Sequence, residues 1–288
     1  MKILQEISGM KLFTSYLIFQ YLIFNSILSV NAQDLLNLKN SRNFAYYLYL
    51  SGDFDLAIKE YERVIFFDST DFESKLNLVK SYRHNGDYQK AIMRNRQFFN
   101  SSADITYGFS NEYCKSLILN NSLDETRKFL SSNNNITEED KIFFLVTTEL
   151  FDENYDKARE IININQNQGN PYINNYIKLL DNKIYFKYKS PALSVALSSI
   201  IPGSGKIYSG AWKDGLVSLF FVATSAFQSY RGFDKKGIES AYGWVFGGLA
   251  AGFYVGNLFG SGKAAHKYNY NLKHNLRHKI EEIFYSYD

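Results

Sequence analysis

Two tetrapeptides and a histidine pair are the places where this chain could do chemistry. Gly203-Ser204-Gly205-Lys206 and Gly260-Ser261-Gly262-Lys263 each set a lysine behind paired glycines, residue types that can cradle a phosphate. A nucleotide loop needs Gly-x-x-x-x-Gly-Lys followed by Ser or Thr. Ile200 and Asn257 stand where the first glycine belongs, and Ile207 and Ala264 follow the lysines, so neither tetrapeptide reads as a nucleotide site. His274 and His278 are four residues apart, a spacing that can hold a metal, but no carboxylate or cysteine completes the set. Cys114, the single cysteine, excludes an internal disulfide framework and reads as an inert buried thiol within a helix. No nucleophile elbow, zinc motif or phosphate loop remains. The chain is therefore expected to be no enzyme and to need no cofactor or metal. Its net charge of +3 is small and dispersed, which argues against nucleic acid as a partner.

The elements around these residues are more telling. Gly52-Asp53-Phe54-Asp55-Leu56-Ala57-Ile58 is echoed 34 residues on by Gly86-Asp87-Tyr88-Gln89-Lys90-Ala91-Ile92. Weaker copies start at Asn121 and Glu153. The glycine suits a tight turn between antiparallel helices. The aromatic or leucine two residues later (Phe54, Tyr88, Leu123, Tyr155) opens the second helix. Ala57, Ala91, Thr126 and Ala158 follow on the same face, where a small side chain lets the helices approach.

This pattern resembles the tetratricopeptide repeat over roughly residues 35 to 165. The third copy lacks both glycine and alanine, and the fourth lacks the glycine. The resemblance implies an all-α solenoid of helical hairpins that holds proteins or peptides on the face lined by the first helix of each pair. A spacer without cargo is the alternative. Candidate residues for that face are Tyr46, Tyr49, Asn77, Lys80 and Arg83.

Both ends of the chain differ from this middle. Leu12 to Val30 is almost wholly apolar behind Lys2 and Lys11, and Val30-Asn31-Ala32 reads as a cleavage site. Residues 1–32 are thus expected to be a signal peptide, with an uncleaved anchor as the alternative. The repeats are assigned 33–165 and a capping helix and linker 166–189, with Pro171 opening the helix.

After Pro191 come apolar stretches at Ala192–Ile201, Gly215–Tyr230 and Ala241–Phe259. At 1.5 Å per residue they measure about 15, 24 and 28 Å, so the last two are expected to span a bilayer. Gly248, Gly252, Gly256 and Gly260 recur every four residues and predict a groove for close packing of membrane helices. Ser218, Ala223, Ser225 and Ala226 are the expected partners.

Pro202, Gly203, Gly205, Tyr208 and Gly210 form Pro-Gly-x-Gly-x-x-Tyr-x-Gly. This is similar to the signature of glycine-rich hairpin domains in bacterial envelope proteins. The run 190 to 269 also resembles a segment of bacterial proteins associated with YidD, the membrane-protein insertion efficiency factor, whose cysteine motif is absent here. A membrane hairpin module over 190–262 and an amphipathic tail over 263–288 follow. Leu272, Leu276, Ile280, Ile283 and Phe284 form the tail's apolar stripe, expected on a membrane or a partner.

These readings combine into an expectation of a scaffold anchored in the bacterial inner membrane, its repeats on the periplasmic side, its partners proteins, peptides and the lipid bilayer. Whether two or three stretches cross stays open. The alternative is an accessory factor in membrane-protein insertion or assembly, acting through the hairpin.

Overall fold

A computed structural model of the chain describes residue 20 and residues 37–101, 107–165 and 171–287; the expected signal peptide and residues 166–170 of the linker lie outside these. Among the described residues the fold is all-helical, with thirteen α-helices in a helical-hairpin arrangement and no strand. The chain forms two compact units that divide between Asn120 and Asn121.

The first unit holds α1 (Leu38–Ser51), α2 (Phe54–Phe67), α3 (Phe72–His84), α4 (Tyr88–Ser101) and α5 (Tyr107–Leu119). Asn37 and Asp71 cap α1 and α3, their side chains accepting from the N–H groups of Asn40 and Ser74. Successive helices pack against each other. Their shared core contains Ala45, Leu48, Ala57, Tyr61, Leu78, Val79 and Ala91, all nearly inaccessible. The second unit opens with α6 (Leu123–Ser132), α7 (Glu138–Phe151), α8 (Tyr155–Ile164) and α9 (Pro171–Asp181).

The repeat turns share one geometry. Gly52 and Gly86 both have φ +81°, and Asn121 and Glu153, which take the same place in the weaker copies, have φ +58° and +63°. After α1, α3 and α7 the N–H following the left-handed residue returns to a carbonyl five residues back: Asp53 to Leu48, Asp87 to Tyr82 and Asn154 to Glu149. A Cβ at Gly52 or Gly86 would touch nothing, so backbone angle alone favours glycine there. Ala57, Ala91, Thr126 and Ala158 are all fully buried. The Thr126 hydroxyl is satisfied within its own helix, donating to the Ser122 carbonyl at 3.1 Å. Both weaker copies are shorter here: α6 and α8 have 10 residues each, against 14 in α2.

The remainder of the second unit is α10 (Pro191–Ile200), α11 (Ser204–Tyr208), α12 (Trp212–Lys236) and α13 (Ala241–Tyr285). Pro191 starts a helix, with Ser190 as its cap. No helix among the described residues is long and apolar enough to cross a membrane, which corrects the spans expected over 215–230 and 241–259. Both lie in helices of ample length, 25 and 45 residues, but glycine, serine, tyrosine and glutamine dilute their apolar windows.

Across the expected boundary at residue 263, α13 runs unbroken from Ala241 to Tyr285. Most of the tail's stripe is turned into the second unit, with Ile283 half-buried. Leu272, Leu276, Ile280 and Phe284 are buried, and this half of α13 packs on α7 and α9. Phe143 stacks on Tyr176 at 5.6 Å and on Tyr287 at 3.8 Å. The Arg277 guanidinium lies 3.6 Å from the centre of the Phe151 ring and donates to the Phe151 carbonyl at 2.9 Å.

Candidate functional site

The glycine-rich signature folds into a knot that ties α10 to α13. Gly203 is left-handed (φ +87°), and a Cβ there would stand 2.0 Å from the Gly215 carbonyl oxygen. A Cβ on Gly205 would stand 1.7 Å from the Ser194 carbonyl oxygen. Both positions therefore require glycine through backbone-to-backbone contact. Gly210 is left-handed as well (φ +83°). The Tyr208 hydroxyl accepts from the Ser190 N–H at 3.2 Å, and Lys189 Nζ lies 4.5 Å from the centre of the Tyr208 ring.

The interior of this knot is polar. Ser198 Oγ accepts from the Gly205 N–H at 2.9 Å and pairs with Ser261 Oγ at 2.6 Å. Ser261 in turn donates to the Asn257 carbonyl at 2.8 Å. Asn257 Oδ1 accepts from the Gly203 N–H at 2.9 Å. Ser194 Oγ reaches the carbonyls of Ser261 and Gly205 at 2.7 and 2.9 Å. All four side chains are buried. Between α12 and α13 the seam is small rather than apolar: a Cβ on Gly232 would meet the Gly243 backbone at 2.7 Å, and Ser229 donates to the Gly243 carbonyl at 2.8 Å.

Outward, the same helices are apolar and aromatic. Leu216, Phe220, Phe227, Trp244, Val245 and Phe259 are all exposed, Phe259 to 78%. Of the glycine ladder, Gly248, Gly252 and Gly256 also face outward, with nothing within 4 Å of an added Cβ. The expectation that they pack on α12 is thus corrected. Gly243 and Gly247 make that contact instead, with Phe233 and Ser229 opposite them, and Gly260 lies against Lys206. Among the expected partners Ser225 is buried, Ser218 accepts from Lys206 Nζ at 2.7 Å, and Ala223 and Ala226 are exposed.

Of the five candidate residues of the repeat face, four are wholly or partly accessible and one is buried. Tyr46 is exposed. Tyr49 is half-buried, edge-on to Phe54 and His84 at 5.8 Å each. Asn77 and Lys80 are half-buried. Arg83 is buried, which removes it from any binding surface: its Nε donates to Glu112 Oε2 at 2.7 Å, and both side chains are under 5% exposed. The partner lies 29 residues away on α5, and nothing in the local sequence around Arg83 pointed to it.

The second unit contains a comparable centre. Glu149 accepts from Arg127 at 2.8 Å and lies 3.0 Å from Lys157 Nζ. Burial raises its pKa, but the hydrogen bonds from Arg127, Lys157 and Asn154 outweigh that and hold the carboxyl below its usual range.

Compared with family models, with curated proteins and with solved structures, the chain matches none. Cys114 is buried and in no disulfide. His278 sits 3.2 Å from Glu282 on its own helix. No group of three or more metal-binding side chains occurs among the described residues.

Proposed function

We propose that this chain is a membrane-associated scaffold of the bacterial envelope. Its helical hairpins, of tetratricopeptide type, hold proteins or peptides, and its glycine-rich module beds in the inner membrane with the repeats on the periplasmic side. One observation carries the membrane part. Residues 191–262 bury mainly serine, asparagine and glycine, with Val222 as the one buried hydrophobic side chain among them, and expose phenylalanine, leucine and tryptophan. In water that arrangement wastes the hydrophobic effect. In hydrocarbon it is the favoured one, because polar groups must be satisfied inside while small residues give close contact. Since no single helix qualifies as a span, the module beds through the joint outer face of α10, α12 and α13.

Vesicle flotation of the purified full chain tests this. The reading expects detergent dependence and co-migration with vesicles of neutral phospholipid. A chain that stays monodisperse without detergent and remains at the bottom of the gradient overturns it.

The second reading, an accessory in membrane-protein insertion or assembly, draws on the open ladder at Gly248, Gly252 and Gly256, which leaves a smooth strip on α13 for another helix. A photo-crosslinking residue in place of Tyr46 or of Val245, in the full chain in its native envelope, separates the two. Protein adducts from position 46 favour the scaffold. Adducts from position 245 alone favour the accessory role.

A further inference from the structure

The two Gly-Ser-Gly-Lys tetrapeptides are 57 residues apart in sequence, yet both lysines line one cleft. It measures about 670 Å³ and opens between α11, the start of α12 and the middle of α13. Lys206, Lys263 and Lys267 supply three positive charges, and Asp214 is the one acidic residue in the lining. Among the described residues none of the three lysines has a carboxylate partner: Lys206 Nζ donates to Ser218 Oγ at 2.7 Å, and Lys263 and Lys267 are exposed. Gly260 leaves room for the end of the Lys206 side chain: a Cβ there would stand 2.9 Å from Lys206 Cε.

The start of α12 adds to the field. Ala211, which precedes the helix, lines the cleft and offers no side-chain cap. The first N–H groups of this 25-residue helix, which have no acceptor within the helix, begin at this point, with Asp214 in the same turn. Trp212 and Ile207, both about half exposed, stand beside the cleft, where the apolar outer face of the module begins.

From this convergence we infer that the cleft binds a phosphate ester. The chemistry is that of a diffuse ammonium cage rather than a nucleotide loop, because the lysines come from separate helices and no glycine-rich loop encircles the anion. Two sources share that chemistry, the headgroup of an anionic phospholipid and a soluble phosphate. The lipid source rests on the membrane reading above; the phosphate contact itself does not.

The test uses the full chain in a neutral maltoside detergent. Its binding to phosphatidylcholine vesicles is compared with binding to vesicles containing phosphatidylglycerol, and inorganic phosphate is titrated calorimetrically. The variants are Lys263→Gln/Lys267→Gln, which alter only exposed side chains, then Lys206→Gln, with Lys128→Gln on α6 as a charge control. Anionic lipid is expected to tighten binding. Each cleft lysine removed should weaken that increment about fivefold, leaving binding to neutral vesicles and the effect of Lys128→Gln unchanged.

An increment that millimolar phosphate does not compete away identifies the lipid source; phosphate binding that competes identifies the soluble one. Failure to bind any vesicle, with lysine-dependent phosphate binding retained, sinks the membrane reading and keeps the cleft. Variants that bind both anionic vesicles and phosphate as the parent does overturn the cleft.

Discussion

Between α2 and α3 the interior is Ala57, Tyr61, Leu78 and Val79; between α10 and α13 it is Ser194, Ser198, Asn257 and Ser261. The secondary structure is the same, and the means of cohesion are opposite. The first interior is held by removal of apolar surface from water, worth roughly 25 cal/mol per Å². The second is held by close backbone approach and a closed set of hydrogen bonds, each contributing about 1 kcal/mol net. A hydrogen-bonded interior suits surroundings in which apolar burial gains nothing. The proposed membrane setting of the second region rests on this contrast.

The contrast can be broken at several points. The largest effect is expected from Gly205→Ala, whose methyl group would overlap the Ser194 carbonyl oxygen. A loss of more than about 4 kcal/mol, seen as loss of the cooperative thermal transition in detergent, is the expected outcome. Gly248→Ala, facing open space, should instead be neutral or stabilising by up to about 1 kcal/mol. Equal effects at the two glycines would undo the account of the knot.

Next comes Leu78→Ala, which leaves a cavity in an apolar core and should cost about 2–5 kcal/mol. Asn257→Ala, which strands the Gly203 N–H, should cost about 1–3 kcal/mol. Transferring the protein from detergent to lipid should leave the Leu78 penalty unchanged, as judged by denaturant unfolding.

Smaller again is a pH effect confined to the second unit. The Glu149 carboxyl is held below its unfolded value, so its contribution is present above the unfolded carboxylate pKa and is lost as pH falls through the folded one. Acid titration followed by tryptophan-independent circular dichroism should show Glu149→Gln destabilised at pH 7, with a shallower loss of stability below about pH 4.5. A parallel acid profile for parent and variant removes Glu149 from the account.

The smallest effect is expected at the repeat turns. Gly86→Ala should lose about 1 kcal/mol, because an L-residue is disfavoured at φ +81°. Glu153→Gly should gain a similar amount, less whatever its exposed 2.8 Å pair with Lys273 contributes. Opposite signs for the two in thermal melts are the required result.

Much of this was legible beforehand, and the parts that were not share a cause. Gly52 and Gly86 announced their turns because only glycine reaches that backbone region freely. Asn121 is the side-chain-bearing type that tolerates this region best, but Glu153 adopts it against its own preference, so its residue type gave no sign. The glycine ladder announced an unhindered face but not its direction. Its outward orientation was settled when Gly203, Gly205 and Gly243 took the inner contacts. The stripe at Leu272, Leu276 and Ile280 was plain as helical periodicity, but which surface it would meet was not.

By itself, then, the amino-acid order determined helix against strand, the 34-residue period, the fully buried small residues at Ala57, Ala91, Thr126 and Ala158, and the apolar bias of the final third. These follow from local propensity and spacing, which act within a few turns of helix. Only the tertiary structure decided that Arg83 faces inward to Glu112, that α13 docks its second half on α7, and that two lysines 57 residues apart share one cleft. Each of those depends on which helix lies opposite. That choice is made by the summed packing of whole faces, and no short window of sequence contains it.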